Sequence, residues 1–590
     1  MNRLLRTHLA PYRGPIVVVV ILLLVQAIGQ LILPSLNADI INSGVLTGDT
    51  SEILRMGTLM VAVTIAISIA SIIGVYFASR TAMSFGRDVR YALFRHVETF
   101  SLGDLQAFGA PSLITRNTND VQQVQMLVIL GLTMLISAPI MAVGGIIMAV
   151  GENLQLSALL LLIIPVMTVV IGLLVRQTVP LFRIMQLKID RINLILREQL
   201  TGVRVIRAFV RSDYEERRFA RANDDLTSTA LRVSRLFALM MPALMLIFNL
   251  ATVAIIWFGG HLVNDASMPI GNLTAFIAYV MQILFAVMMA VMLIVTIPRA
   301  AASAERIQVV LDRKPAITSP EKPRHSSQRG LVELVDVGFR YPGAQAPVLH
   351  GISATLRPGT MTAIVGSTGS GKTTLVNCIM RLLEVTHGAI RVNGVDVREQ
   401  DLELLWSTLG LVPQRAMLFS GTIRSNLQLG AAQATDVECW QALDLAQAGD
   451  FVRALSEGLD APVDQAGANF SGGQRQRIAI ARALIRRPPI VILDDAFSAL
   501  DYATDARLRQ SLRSAARDLT VIVVAQRVSS IIAADQVLVL DEGRLVGLGT
   551  HEDLLADCQT YREIVLSQES LDPLAHEATP RGVEAGRAIR

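Results

Sequence analysis

Gly366-Ser367-Thr368-Gly369-Ser370-Gly371-Lys372-Thr373-Thr374 is the stretch on which the reading of this chain turns. It meets the pattern G-x-x-x-x-G-K-[ST] at every fixed position. The apolar run Met361–Val365 ahead of it predicts a strand, and Thr374–Leu383 behind it predicts a helix. Strand, glycine-rich turn and helix N-terminus together wrap a polyphosphate with backbone N–H groups. Lys372 supplies a point charge for the terminal phosphates, and Thr373 a hydroxyl for Mg²⁺. The chain has only four lysines among 53 basic residues, so a lysine at this position is not compositional noise.

Further pieces of one site follow in order. Tyr341, in Phe339-Arg340-Tyr341-Pro342, is placed to stack on a base. Gln414, in Leu411-Val412-Pro413-Gln414, is placed to reach Mg²⁺ or its water. Ser471-Gly472-Gly473-Gln474 opens a predicted helix, Arg475–Arg486, and two glycines at a helix start form a second anion site. One phosphate loop already serves one nucleotide, so the second site implies a nucleotide clamped between two domains. Ile490–Asp494 predicts a buried strand ending in an acid, the usual place of a Mg²⁺-linked aspartate. Asp495 follows at once, then the turn Ser498-Ala499-Leu500-Asp501. Thr520–Ala525 predicts another buried strand, ending at Gln526.

Upstream the composition changes. Of the 590 residues 52% are hydrophobic, and the mean hydropathy is +0.49. This favours membrane spans over a soluble globule. Six segments are long enough for a hydrocarbon core of ~30 Å. They are Pro15–Leu36, Met56–Phe77, Met126–Val150, Leu154–Val175, Leu236–Phe258 and Leu273–Ile297. The first follows Arg3, Arg6 and Arg13, yet its apolar run is too long for a signal peptide and no small-residue cleavage site follows, so it is expected to be retained. Arg80, Arg87, Arg90, Arg95 and Arg116 lie in one long loop, and more than ten basic residues lie in Arg176–Arg235. The short loops Asn37–Arg55 and Gly259–Asn272 are nearly free of Lys and Arg. The asymmetry predicts both termini and both long loops on the cytoplasmic side of the inner membrane.

The two long loops are helix-patterned and are expected to continue the spans into the cytosol. Their turns lie near Phe108–Ser112 and Ala208–Glu216. Within the spans Gln26, Gln30, Asn249 and Gln282 are expected to face the bundle interior or a cavity. Met240, Met241, Met245, Met281, Met288, Met289 and Met292 crowd the last two spans. Methionine suits irregular apolar surfaces, so a cavity there would be apolar and its cargo hydrophobic or amphipathic. Pro298–Arg329, with Pro315, Pro320 and Pro323, reads as an exposed linker, and Leu571–Arg590 as a disordered tail. Cys378, Cys439 and Cys558 lack metal spacing and are expected to be reduced core residues. The net charge of +4 arises mainly from the loop arginines and does not point to nucleic acid.

With these motifs in this order the chain resembles a half-size ATP-binding-cassette transporter of the exporter type. The expected fold is an all-α six-helix transmembrane domain (1–298) with long cytoplasmic helical extensions, fused through a linker (299–329) to an α/β P-loop nucleotide-binding domain (330–570). The resemblance implies ATP and Mg²⁺, a lipid bilayer, and a dimer in which each nucleotide lies between one subunit's phosphate loop and the other's signature, Ser471–Gln474. It implies that the turns near 108–112 and 208–216 are coupling helices. Tyr341, Gly366–Thr374 and Asp501 would bind nucleotide. Thr373, Gln414 and Asp494 would hold the metal, and Asp495, Gln526 and Gln414 would serve hydrolysis.

Two departures stand out. The family's usual glutamate after the metal aspartate is Asp495 here, and its usual switch histidine is Gln526. Phe470 replaces the commoner leucine before the signature serine, and Asp464-Gln465-Ala466-Gly467 departs from Gly-Glu-x-Gly. Both changes in one site, beside an intact phosphate loop and signature, resemble the degenerate-site subunit of heterodimeric exporters. Its partner would be a homologous half-transporter. A homodimeric exporter, or an importer of lipid-like or siderophore substrates on the same fold, remains an alternative. A soluble P-loop mechanoenzyme is excluded by the six spans.

Overall fold

The structure, a computed structural model, describes residues 1–515, 519–528 and 531–569. The expected tail from Leu571 and the side chain of Met292 lie outside the described residues. The chain divides into two compact units: 1–98 with 111–313, and 99–110 with 314–590.

The first unit is helical. Six helical segments are long and apolar enough to cross a membrane: Asn2–Val45, Thr50–Val97, Ala110–Glu152, Leu154–Ala208, Ser212–Asn264 and Ile270–Ala290. The helices Thr50–Val97, Leu160–Ala208 and Ser212–Asn264 have 48, 49 and 53 residues. At 1.5 Å per residue each is about 75 Å long, more than twice the ~30 Å of a hydrocarbon core. These lengths are the predicted helical extensions. Asp49 starts the second helix by accepting from the N–H groups of Ser51 and Glu52. Pro34, Pro139, Pro165, Pro180, Pro242 and Pro298 all lie inside helices.

Pro298 corrects one expectation. The last helix does not end there but runs from Ile270 to Leu311, so extended chain begins past Leu311 and not at 298. An interior proline removes one backbone donor, and packing retains the helix: Ala300, Ala304, Ile307 and Val310 beyond it are all buried.

That extension is fastened by a carboxylate. Asp120, fully buried, accepts from Arg306 through both oxygens (Nε to Oδ2 2.8 Å) and from Ser303 Oγ at 3.0 Å. Arg306 is half exposed and Asp120 is not, so the two halves of the pair are unequal. Arg306→Met strands a buried charge and is expected to cost about 2 kcal/mol. Asp120→Asn leaves an exposed guanidinium to water and costs less. Thermal unfolding in detergent reads the order, and equal losses would contradict it.

The span amides divide. Gln26, Gln30 and Gln282 are half-buried, and Gln282 Nε2 donates to the Gln30 carbonyl at 3.0 Å. Asn249, expected inside, is exposed. Its helix buries Leu244, Ala251 and Ile255, and at 100° per residue position 249 points well away from 251. Near the other end of the bundle Ser35 Oγ donates to Glu152 at 2.9 Å and meets the Tyr279 hydroxyl at 2.7 Å, joining three helices. Gly271 permits the first and last spans to touch, because a Cβ there would sit 2.3 Å from the Ala38 carbonyl oxygen.

The second unit is α/β. A mostly parallel six-stranded sheet has the order Arg544–Gly549, Gln536–Asp541, Met361–Gly366, Thr520–Val524, Ile490–Asp494, Leu409–Val412. Only the outermost pair, Gln536–Asp541 with Arg544–Gly549, is antiparallel. The strands Ile490–Asp494 and Thr520–Val524 are buried at every position, as helix-covered parallel strands are. A second, antiparallel sheet contains Val332–Phe339, Leu349–Leu356, His387–Val392 and Val395–Asp396. All three cysteines are buried, and burial pushes the Cys378 thiol up to about 12. The same unit takes in the short helix Leu102–Phe108. Its Asp104, buried, caps the helix with Ser101 and accepts from the Ala316 N–H at 3.0 Å.

Candidate nucleotide site

Parallel strands deliver their C-terminal ends to one edge of the sheet, and ligands of open α/β folds bind there. The register sets Val524 beside Ile364 on one side and Asp494 on the other, and pairs Leu493 with Val412. Residues just past these positions therefore meet: the phosphate loop, Asp495, Gln526 and Gln414.

The phosphate loop leaves the strand at Gly366 and enters the helix Lys372–Ile379 through Gly371. Gly369 (φ 88°) and Gly371 (φ 95°) are left-handed, and a Cβ on Gly369 would meet open space. Glycine is required there by the backbone alone, and the cradle stays open. Lys372 is buried under the loop. Its Nζ donates to the carbonyls of Gly366 at 2.8 Å and Ser367 at 2.7 Å, and to Ser370 Oγ at 3.4 Å. Desolvation holds its ammonium below the usual lysine range, opposed by Asp494 and Asp495. Tyr341, half-buried and edge-on to Phe339, places its hydroxyl 3.3 Å from Thr374 Oγ1. The base-stacking candidate is thus tied to the phosphate-loop helix.

Thr373 Oγ1 donates to Asp494 Oδ1 at 3.3 Å. Two hard oxygens side by side suit a Mg²⁺ ion, which takes one or two protein oxygens and completes its shell with phosphates and water. Among the described residues no group of three or more His, Cys, Asp or Glu could hold a metal by itself, so such an ion would depend on the bound nucleotide. Burial raises the Asp494 carboxyl above its ordinary range, with the Asp495 charge adding to it.

Asp495 is the centre of the constellation. Gln414 Nε2 and Gln526 Nε2 each donate to its Oδ2, both at 3.3 Å. Its backbone is left-handed (φ 50°), with its N–H bound to the Val524 carbonyl at 2.9 Å. Burial raises this carboxyl too, partly offset by Gln414, Ser498, Lys372 and Arg527. The two residues that depart from the family's pattern, 31 positions apart in the chain, are thus in direct contact.

The signature lies apart in its bonding. Ser471 caps the helix Gly472–Leu484: its Oγ accepts from the Gln474 N–H, and Gln474 Oε1 accepts from the Ser471 N–H. Gly473 abuts the following turn, since a Cβ there would lie 3.0 Å from the Ala499 carbonyl oxygen. Asp501, exposed, caps the helix Tyr502–Ala515 through the Thr504 N–H. Among the described hydrogen bonds none joins the signature to the phosphate loop. Arg475 instead ties the loop before the signature, donating to the Gly467 and Phe470 carbonyls.

Sequence reasoning missed three contributors. Ser498 Oγ donates to the Asp495 carbonyl at 2.9 Å, Arg527 lies over the Tyr502 ring at 5.5 Å, and Gln568 bonds the backbone beside Gln526. Ser498 stood inside the quoted turn Ser498–Asp501 without a role, and Arg527 was findable by its adjacency to Gln526. Gln568 carried no signal.

Comparison with known proteins agrees with this architecture. Residues 16–287 match the ABC transporter transmembrane region family, and 349–498 match the ABC transporter family. An uncharacterized ABC transporter ATP-binding protein of Mycobacterium tuberculosis (strain CDC 1551 / Oshkosh) is 50% identical over 96% of this chain and 98% of its own length. An ATP-dependent lipid A-core flippase of Syntrophus aciditrophicus (strain SB) is 32% identical over 83% of this chain and 81% of its own length. The structure of a bacterial Atm1-family ABC exporter with ATP bound shares the fold, with a TM-score of 0.77, 24% identity, and coverage of 99% of this chain and 100% of that one. A six-span helical region, a phosphate loop at the sheet's C-terminal edge and near-full-length relatives make this chain a member of the ABC transporter family, with an ATPase cassette coupled to transport.

Proposed function

We propose that the chain is one subunit of a heterodimeric exporter of hydrophobic or amphipathic compounds, and that its own ATP site hydrolyses slowly. The carrying observation is the Asp495–Gln526 contact. A carboxylate one methylene shorter than glutamate is held by an amide that donates a hydrogen bond but never carries imidazolium charge. In this reading Tyr341 and Gly366–Thr374 hold ATP, and Lys372 exchanges its loop carbonyls for phosphate oxygens. Thr373, Asp494 and Gln414 hold Mg²⁺, which would neutralise phosphate charge. Ser471–Gln474 and Asp501 complete the partner's site. Both termini are cytoplasmic, in the inner membrane.

Two further observations support the reading. The last turn of the helix Leu160–Ala208 and the residues after it expose Val205, Phe209 and Val210, the last 87% exposed and left-handed (φ 52°). A strained, exposed β-branched residue at an apolar tip suits docking against a partner's cassette. In the membrane unit a cavity of about 510 Å³ is lined by Phe182, Phe237, Met240, Met241, Leu244 and Met288, among others. Of the two threonines in the wall, Thr178 and Thr296, Thr178 bonds its own helix, at the Leu174 carbonyl. Such a wall selects apolar cargo. Met245, Met281 and Met289, expected with this group, are not among the lining residues.

Expression with and without a homologous half-transporter that carries glutamate and histidine at the positions of Asp495 and Gln526 is the test. A stable complex, with ATPase stimulated by amphipathic dyes or lipids, is expected only when both are present. A transport-competent assembly of this chain alone would exclude the heterodimer. Met240→Glu, which places a charge in the cavity, is expected to cut stimulation about tenfold. Stimulation by hydrophilic solutes alone would reject the apolar cargo.

A further inference from the structure

The strand that carries the switch ends at Val524, and Ala525 makes one more sheet bond, its N–H to the Ile364 carbonyl at 3.2 Å. Gln526 to Val528 then leave the sheet. Their backbone is met by one side chain from the C-terminal helix Gln559–Glu569. Gln568 Oε1 accepts from the Val528 N–H at 2.7 Å, and Gln568 Nε2 donates to the Gln526 carbonyl at 2.7 Å. One amide thus satisfies a C=O and an N–H two residues apart, as a paired strand would. Only one orientation of that amide makes both bonds, since the flipped form sets donor against donor and acceptor against acceptor.

The helix that presents Gln568 is itself fixed. Tyr561 and Val565, one turn apart, are buried in the cassette core, and the Tyr561 hydroxyl lies 2.8 Å from His551 Nδ1. Position 568 continues that face at the i, i+4, i+7 spacing. A rigid element therefore holds the backbone of Gln526, while its side chain reaches Asp495 Oδ2 at 3.3 Å.

We infer that Gln568 is a positioning residue for the switch: it fixes the Gln526 peptide so that the Gln526 amide stays on Asp495, and so sets the rate at this site without touching nucleotide. The inference rests on the reading that Gln526 serves hydrolysis. With the clamp removed, the Gln526 carbonyl and the Val528 N–H turn to water, the peptide between them rotates, and the Gln526 amide swings off the carboxylate. Nucleotide affinity, set by the phosphate loop, is unaffected.

The test is a double-mutant cycle on the full-length chain in lipid nanodiscs, with its partner subunit if one is required. It reads single-turnover ATP hydrolysis, which measures a slow site as well as a fast one. Gln568→Ala is expected to slow turnover about tenfold with the ATP dissociation constant unchanged, a displaced group at the reacting centre costing rate and not binding. In a Gln526→Ala background Gln568→Ala should add nothing, because it acts through Gln526. Gln568→Glu keeps an acceptor for Val528 but sets oxygen against the Gln526 carbonyl, and should fall between wild type and Gln568→Ala. Amide hydrogen exchange reads the clamp by itself: Gln568→Ala should speed exchange at Val528 and leave Thr520–Val524 protected. If Gln526→Ala slows turnover but Gln568→Ala does not, or the two add, the positioning role is wrong. If Gln526→Ala has no effect, the reading of Gln526 fails and the inference with it. If exchange at Val528 is unchanged, the clamp does not exist in solution.

Discussion

Lys372→Met is expected to lower ATP affinity about 100-fold and to abolish transport. The methionine stem fills nearly the same volume, so the change removes charge and donors and little packing. Charge-assisted hydrogen bonds contribute about 1.5–3 kcal/mol each, and 1.4 kcal/mol is tenfold in a dissociation constant. Lys372 is the one cation in Gly366–Thr374, and two of the loop's carbonyls and the Ser370 hydroxyl hold it in place by three hydrogen bonds. Those carbonyls compete with a nucleotide for the same protons, so part of the gain on binding is offset by the bonds given up. Two results are therefore tied together. The variant should lose nucleotide binding, and its loop carbonyls, left without donors, should make the segment 366–371 exchange amide hydrogen faster even in the absence of nucleotide. Titration with a fluorescent ATP analogue checks the first and hydrogen exchange the second. Affinity retained within about twofold would remove the loop from the account of binding.

What the sequence made legible follows from the range of the interactions. The phosphate loop is nine consecutive residues whose chemistry is local: glycines at left-handed positions, a lysine one step into a helix, a strand before it. Asp494 was legible because it ends an apolar run, and such a strand has only one end at the ligand edge. The spans were legible because about 20 apolar residues have few other uses. The Asp104–Ala316 tie and the Ser35–Glu152–Tyr279 junction were not, because they join groups 117 to 244 positions apart and leave no periodicity in the chain. Gln568 belongs with them, 40 and 42 positions from the backbone it holds. Asn249 and Pro298 failed for a different reason. Both readings used a residue's average preference, and packing overrode it: the neighbours of Asn249 fixed the helix face, and the buried residues beyond Pro298 kept the helix going. The joint departure at 495 and 526 could be seen in the sequence, but only the sheet register shows that the two side chains touch.

That contact makes the second large effect specific. Asp495→Glu with Gln526→His is expected to raise single-turnover hydrolysis at this chain's site about 100-fold, since displacing a reacting group by ~1 Å costs rates of that order. The carboxylate of Asp495 meets both amides at 3.3 Å, long for bonds to a charged acceptor, which run nearer 2.8 Å. An added methylene extends the carboxylate, and an imidazole at 526 supplies a second titratable donor where the amide offers none. Each single change should give less than half of the logarithmic gain, because the two groups share one oxygen and act as a unit. Affinity for ATP should stay put, as the phosphate loop is untouched. The converse experiment separates this site from its partner. Asp495→Asn should lower the ATPase of the complex only modestly, whereas the corresponding Glu→Gln change in the partner should nearly abolish it. Equal losses would falsify the asymmetric assignment, and an unchanged rate in the double variant would place the slow step elsewhere than at Asp495 and Gln526.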